Sequence, residues 1–122
     1  MVPPQNGEVT GDPSQIVEIG FNDIEPLSVA ERWASYMTWT SEKVFTDASQ
    51  YSPWVDNVPE AYIHTESDHA LPYPVQLQMQ ALLPQGSPVY TINSSHVPFI
   101  SQPDELLPLV ENAISVAMEA KK

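Results

Sequence analysis

The sequence contains no cysteine and only four lysine and arginine residues. The absence of cysteine excludes disulfides, thiolate metal sites and a cysteine nucleophile. Against 16 aspartate and glutamate residues, the four basic residues leave a formal net charge of −12. This balance argues against nucleic acid as a partner, because neutralising phosphates requires clustered lysine and arginine. An anionic membrane surface is disfavoured for the same reason.

Long apolar runs are also absent. No stretch approaches the roughly 20 apolar residues of a membrane span. The first residues, MVPPQNGEVTGDP, have neither the basic nor the apolar region of a signal peptide. We therefore expect no membrane association and a cytoplasmic location. An apolar content of 42% in 122 residues allows a core, either as one domain or as part of a larger one.

The first half of the chain is predicted to be a loop followed by short helices. Residues 1–15 combine proline, glycine, asparagine and aspartate without a period, which predicts a loop. Residues 16–21 alternate weakly and predict a short strand or an extended lid segment. Ser28 is predicted to cap a helix through a capping box with Glu31, and a second helical patch covers residues 41–48.

Aromatic residues concentrate in this first half, and their role has two interpretations. In the first, they fill the contact between a small helical layer and a sheet. In the second, they form an aromatic lid over an apolar substrate. The lid residues would be Trp33, Tyr36, Trp39 and Trp54.

The second half has the order strand, helix, strand, helix. Strands are predicted at residues 61–65 and Val89–Ile92, with helices at 74–83 and 101–120. Two strands joined by a helix predict a parallel pair. Because two parallel strands do not form a stable sheet alone, we expect one edge of a larger sheet. The last helix is predicted to begin at Ser101 as N-cap and to bury a stripe formed by Leu106, Leu107, Val110, Ile114 and Met118.

One polar residue follows each predicted strand. Asp68 comes just after the first strand and His96 just after the second. Because parallel strands end at one edge of a sheet, both side chains are expected there, where ligands bind in open α/β folds. An acid followed by a histidine is also the second half of a Ser…Asp/Glu…His order. Taken singly, Asp68 could be a turn residue and His96 a loop residue bonded to backbone.

Two stretches carry a resemblance to a known family. The first, AYIHTESDHALP, contains Thr65 and Asp68 in a T-x-x-D turn that ends in Leu71-Pro72. The second, VYTINSSHVPFISQPDEL, places His96 before an S-x-P helix start. This part resembles the C-terminal part of an α/β-hydrolase, and more narrowly the plant methylesterases, hydroxynitrile lyases and their fungal relatives.

The resemblance implies a partial α/β-hydrolase fold, with a short parallel sheet edge, flanking helices and a helical lid segment. Residues 1–57 would be the lid, and residues 58–122 the C-terminal β-α-β-α of the core. Asp68 and His96 match the acid and histidine of the family's catalytic triad. The implied activity is hydrolysis of a small apolar carboxylic ester without a cofactor.

The family's nucleophile, a serine in a G-x-S-x-G elbow, is absent from this sequence. None of the four glycines, Gly7, Gly11, Gly20 and Gly86, flanks a serine at that spacing. We therefore expect the chain to be inactive by itself, because an acid–histidine pair without a nucleophile and oxyanion donors has nothing to activate.

The sequence leaves three other functions open. The complete protein could have hydroxynitrile-lyase activity, since the family uses the same triad for it. The chain could bind an apolar small molecule without reaction, or it could associate with itself or another chain through open sheet edges.

Two further groups of residues are predicted not to form an additional site. His64, Asp68 and His69 do not share one face, so we expect no metal site. Ser94 and Ser95 lack a strained elbow and are interpreted as loop residues.

Overall fold

The structure, a computed structural model, describes residues 5–121. Residues 1–4 of the predicted N-terminal loop and the final residue of the predicted C-terminal part lie outside this range. The first half contains a 3-10 helix, Pro53–Val55, and the elements β1 (Glu8–Val9), α1 (Pro13–Gly20), α2 (Leu27–Ser35), β2 (Thr40–Ser41) and α3 (Lys43–Thr46). The second half contains β3 (Tyr62–Thr65), α4 (Tyr73–Gln80), β4 (Val89–Ile92), α5 (Pro98–Ser101) and α6 (Pro103–Ala120).

The second half is the mixed helix-and-sheet unit that the sequence predicts. Strands β3 and β4 pair in parallel, with Tyr62 opposite Val89 and Thr65 opposite Ile92. Helix α4 lies between them in the chain, so the predicted β-α-β order is confirmed. Among the described residues neither strand pairs with a third one. No third strand therefore covers either outer edge of this sheet in the part of the chain that the structure describes.

Residues 16–21 form no strand, contrary to the prediction, because the segment Pro13–Gly20 is helix α1. Its start has a clear physical cause. Asp12 is the N-cap and accepts a hydrogen bond from the Ser14 backbone N–H at 2.9 Å. Pro13, at the first helical position, has the backbone geometry of a helix already. These two residues outweigh the weak alternation that follows them.

The prediction of an uninterrupted loop over residues 1–15 is also wrong within the described range. Besides the start of α1, the short strand β1 pairs antiparallel with β2, placing Val9 opposite Thr40. Asn6 (φ 56°) and Gly7 (φ 78°) turn the chain immediately before β1. Val9 is buried, and its burial gives this small sheet an apolar anchor.

The main buried cluster joins the first half of the chain to the second. Its members are Phe21, Ile24, Ala30, Ala34 and Val97. The two alanines lie one turn apart on α2 and allow that helix to approach closely. Val97 belongs to the loop after β4. The predicted lid segment therefore packs directly on the loop that carries His96.

Two predicted helix caps are absent. Helix α2 begins at Leu27 with Pro26 at the N-cap, so Ser28 lies inside the first turn and does not cap the helix. Ser101 ends the short helix α5, and Gln102 occupies the N-cap of α6. The Ser101 hydroxyl instead donates to Asp23 Oδ2 at 2.9 Å, because folding brings that carboxylate within its reach.

The aromatic residues of the first half do not fill a helix–sheet contact. Trp33, Tyr36, Trp39 and Trp54 are 40–69% exposed. Trp33 and Tyr36 meet edge-to-face with ring centroids 6.0 Å apart. The first interpretation is therefore wrong for the described part of the chain: α2 buries its alanines and leaves Trp33 exposed, and the other three aromatic residues lie outside this helix. Their role as a lid over a substrate stays a prediction.

Helix α6 does not bury the predicted stripe. Leu107, Val110, Ile114 and Met118 are exposed. The half-buried face consists of Leu106, Leu109, Ala113 and Ala117. The predicted face and the half-buried face are adjacent on the helix. Which of them is covered depends on the side from which the sheet packs against α6. Within residues 5–121, no helix combines the length and the hydropathy that crossing a bilayer requires.

Candidate acid–histidine site

Asp68 lies in the turn that follows β3, with both carboxylate oxygens hydrogen-bonded. Its Oδ1 accepts the backbone N–H groups of Ala70 and Leu71, each at 2.8 Å. Its Oδ2 accepts the Thr65 hydroxyl at 2.9 Å and the ring of His96. Burial alone would raise the pKa of Asp68, but hydrogen bonds from Leu71, His96 and Thr65 outweigh it and lower the pKa below the usual 3.8.

His96 lies in the loop that follows β4 and meets Asp68 at the shared edge of the sheet. Its Nδ1 is 2.8 Å from Asp68 Oδ2. The side chain of Asp68 is only 2% exposed, whereas that of His96 is 50% exposed. The structure thus brings together the two residues that the sequence singles out, with the acid buried and the histidine accessible.

This contact determines which ring nitrogen carries the proton. The lowered pKa keeps Asp68 ionised at neutral pH, and an ionised carboxylate only accepts hydrogen bonds. A neutral His96 must therefore carry its proton on Nδ1. Its Nε2, on the other side of the ring from the contact, then has a free lone pair that can accept a proton.

Gln76 holds the acid-bearing turn in place. This residue of α4 is 1% exposed, and its side-chain Oε1 accepts the Thr65 backbone N–H at 2.9 Å. Its Nε2 donates to the carbonyl oxygens of Thr65, at 2.9 Å, and Leu71, at 2.8 Å. The side chain therefore links the end of β3 to the residues that follow Asp68.

Gln76 and two residues of the first half, Asn22 and Asp23, are not among the site residues predicted from the sequence. Asn22 donates to the carbonyl oxygen of Ser67 at 2.8 Å, and Asp23 accepts the backbone N–H of Ser95 at 2.9 Å. Their partners are close in space but distant in sequence, so no local period or spacing indicates them. Gln76 is one of three glutamines in α4, with Gln78 and Gln80, so its residue type does not single it out either.

The other histidines do not join this site. His64 is buried between the rings of Tyr62 and Tyr73, and its Nε2 is 2.9 Å from the Gln80 side-chain oxygen. His69 is exposed, with its Nδ1 3.3 Å from the Glu18 carbonyl oxygen. Among the described residues, no group of three histidine, aspartate or glutamate side chains could hold a metal ion.

Ser94 and Ser95 are fully buried. The Ser94 hydroxyl donates to the Ser95 carbonyl oxygen at 3.0 Å. A nucleophile has to be reachable by substrate, so this burial fits a structural role in the loop. A surface cavity of about 600 Å³ lies beside His69, but its lining includes none of the four aromatic residues predicted to form a lid.

Comparison with known proteins finds similarity to an alpha/beta hydrolase. The chain is 27% identical over 111 residues to the alpha/beta hydrolase nvfD of Aspergillus novofumigatus (strain IBT 16806). This match supports a relationship to the α/β-hydrolases. It covers 88% of this chain but only 42% of the relative, so the chain spans less than half of the length of this α/β-hydrolase. No protein-family model matches the chain.

Proposed function

We propose that this chain is the acid- and histidine-bearing part of an α/β-hydrolase that cleaves a small carboxylic ester. The observation that carries the proposal is the 2.8 Å contact between His96 Nδ1 and the buried Asp68 carboxylate. The chain's resemblance to the plant methylesterase and hydroxynitrile lyase group adds the substrate class. The similarity to nvfD adds only the broader family.

In this proposal, His96 Nε2 removes the proton from a serine hydroxyl as that oxygen attacks the ester carbonyl. The same nitrogen then gives the proton to the leaving alkoxide. Asp68 holds the ring in the correct tautomer and stabilises the imidazolium that forms. Hydrolysis of the acyl-enzyme repeats the sequence with water as the nucleophile, returning the serine and releasing the acid.

The serine must come from outside these 122 residues, because the sequence has no G-x-S-x-G motif. The nucleophile-bearing part would complete the sheet beside the β3–β4 pair, whose outer edges are open among the described residues. Such a part would also cover apolar side chains that are now exposed, among them Leu107 and Ile114 of α6.

The first test reads the genomic sequence in frame upstream of the Met1 codon. The proposal expects strands and a G-x-S-x-G elbow there, and the longer protein should then be expressed and assayed on short-chain carboxylic esters. His96→Ala should lower kcat by about 10⁴-fold or more, because the serine loses its base. A longer protein that hydrolyses esters equally well with His96→Ala would refute the assignment.

The same assay distinguishes hydrolase from lyase chemistry. The longer protein is offered a cyanohydrin beside the ester, and the release of free aldehyde is measured. Cleavage of the cyanohydrin without ester hydrolysis would assign His96 to lyase chemistry instead. Glu31→Gln, on the exposed face of α2, is a matched control and should leave both rates unchanged.

A second candidate function is self-association through the sheet edges. It rests on the open edges of the β3–β4 pair in the described chain and on exposed apolar residues such as Val89 of β4. An unpaired edge presents backbone N–H and C=O groups that a second strand can satisfy. The oligomeric state of the purified chain tests this candidate.

A further inference from the structure

The connection between α1 and α2 touches both loops of the acid–histidine site. Asn22 Nδ2 donates to the carbonyl oxygen of Ser67 at 2.8 Å, and Asp23 Oδ2 accepts the backbone N–H of Ser95 at 2.9 Å. Ser67 immediately precedes Asp68, and Ser95 immediately precedes the histidine. Two adjacent residues of the lid segment therefore hold both site loops.

Asp23 contacts the histidine loop on both sides of His96. Besides the Ser95 N–H, its Oδ2 accepts the Ser101 hydroxyl at 2.9 Å and the Gln102 side-chain amide at 3.3 Å. One carboxylate oxygen thus joins the residue before His96 to the end of α5. The other oxygen, Oδ1, is buried and has no hydrogen-bond partner among the described residues.

The charge of Asp23 suits this arrangement. Burial by itself would raise the pKa of Asp23, but hydrogen bonds from Ser95, Ser101 and Gln102 outweigh it and lower the pKa below the usual 3.8. Asp23 is therefore ionised at neutral pH, and bonds to an ionised acceptor are about twice as strong as neutral ones. Apolar packing also holds the histidine loop, because Val97 lies in the core with residues of the segment that contains Asp23.

We infer that Asp23 is a positioning residue that holds the His96 ring against Asp68 by anchoring the loop on both sides of the histidine. A catalytic effect of Asp23 rests on the proposed function, whereas its anchoring of the histidine loop does not. Asp23 touches neither the ring nor the expected substrate. Its effect reaches the chemistry through the backbone of Ser95 and through α5.

The test measures the His96–Asp68 contact directly by NMR on the whole chain. The Nδ1–H proton of His96 should give a low-field resonance that exchanges slowly with solvent, because it is bonded to a carboxylate. Asp68→Asn identifies this resonance. His64, which bonds Gln80 inside the second half, is the internal reference for an intact fold.

Asp23→Ala removes three hydrogen bonds and should raise the exchange rate of this proton by at least about 10- to 100-fold, the range for a single hydrogen bond to a charged group. Asp23→Asn should give an intermediate rate, since its amide oxygen still accepts from the Ser95 N–H without a charge. Asp47→Asn, at an exposed position after α3, is the matched control and should leave the rate unchanged.

An unchanged His96 exchange rate in folded Asp23→Ala would overturn the inference. If that variant unfolds, Asp23→Asn decides. The inference then expects a rate at least about threefold above that of Asp47→Asn, because a charge-assisted bond has become a neutral one. A rate equal to the control overturns it.

The outcome is separable from that of the proposed function. A faster exchange in the Asp23 variants together with no ester hydrolysis by the longer protein keeps the anchoring and rejects the hydrolase. Hydrolysis that depends on His96, together with an unchanged exchange rate in the Asp23 variants, keeps the hydrolase and rejects the anchoring. In an active longer protein, Asp23→Ala should lower kcat with little change in KM. Asp23→Asn should lower kcat less than Asp23→Ala does.

Discussion

The side-chain amide of Gln76 makes two hydrogen bonds to the backbone of Thr65, each at 2.9 Å, accepting its N–H and donating to its C=O. The amide acts as one residue of a neighbouring strand would. Strand β3 therefore has a partner at its last residue in addition to β4. Since Thr65 also donates its hydroxyl to Asp68, this pairing fixes the starting point of the acid-bearing turn.

Gln76→Leu should destabilise the chain by about 2–4 kcal/mol. The variant leaves the N–H and C=O of Thr65 and the C=O of Leu71 without these partners, and an unsatisfied buried polar group costs about 1–3 kcal/mol. Urea unfolding followed by circular dichroism measures the loss. Gln78→Leu, at an exposed position of the same helix, should change stability by less than about 0.5 kcal/mol. Equal losses for both variants would show that the Thr65 pairing contributes nothing.

Acid should destabilise the chain through Asp68 and Asp23, whose pKa values are both lowered below 3.8. Just below pH 3.8 the unfolded carboxylates bind protons while the folded ones remain ionised. Stability is therefore full above that pH and is lost as the pH falls through the folded pKa values.

Urea unfolding repeated between about pH 6 and pH 2 measures this loss, because the slope of stability against pH counts the protons taken up. Asp68→Asn should be less stable at pH 6 and should show a shallower acid decline than the unmodified chain. Asp47→Asn serves as the control, and its acid decline should match that of the unmodified chain. An unaltered slope in Asp68→Asn would mean that its carboxylate is not stabilised by folding.

The chain alone should not hydrolyse esters by turnover. It has an accessible histidine with an ordered acid behind it but no serine in a nucleophile elbow. An unactivated alkyl ester is the right substrate, because an exposed imidazole slowly cleaves activated phenyl esters by itself. Product formation should equal that of the His96→Ala variant. Turnover that His96→Ala abolishes would show that the chain supplies its own nucleophile.

Self-association should depend on the edge of β4. Light scattering of the purified chain should give a mass above that of the 13.6 kDa monomer, increasing with concentration. Val89→Lys places a charge at the exposed start of β4 and should shift the mass towards the monomer. Val44→Lys, at an exposed position of α3, is matched in chemistry and should have no effect. A strictly monomeric, cooperatively folding chain would contradict this candidate.

Several features follow from local sequence. Val89–Ile92 forms a strand with the predicted bounds, and the strand ending at Thr65 pairs with it in parallel. Short β-branched and aromatic runs between turn residues determine such strands, because the preference lies in the residues themselves. Once the pairing is parallel, Asp68 and His96 must meet at the same edge.

Other features depend on partners that no local pattern reveals. The burial of Gln76 and the anchoring by Asp23 join residues 11 and 72 positions apart, respectively. Ser101 resembles an N-cap, yet its hydroxyl bonds Asp23 because that carboxylate lies within reach. A hydrogen-bonding side chain takes the partner that folding brings close, and only three-dimensional packing determines which partner that is.

The sequence by itself determined that this chain carries an acid and a histidine at the carboxyl ends of two parallel strands, and that no nucleophile elbow accompanies them. The tertiary structure decided how the pair is held. It buried Asp68, left His96 accessible and attached the first half of the chain to the histidine loop through Asp23 and Val97. The physical reason is the distance along the sequence over which each feature is determined. Strand formation and strand direction are encoded by neighbouring residues. The burial and hydrogen bonding of a side chain depend on segments far away in the chain.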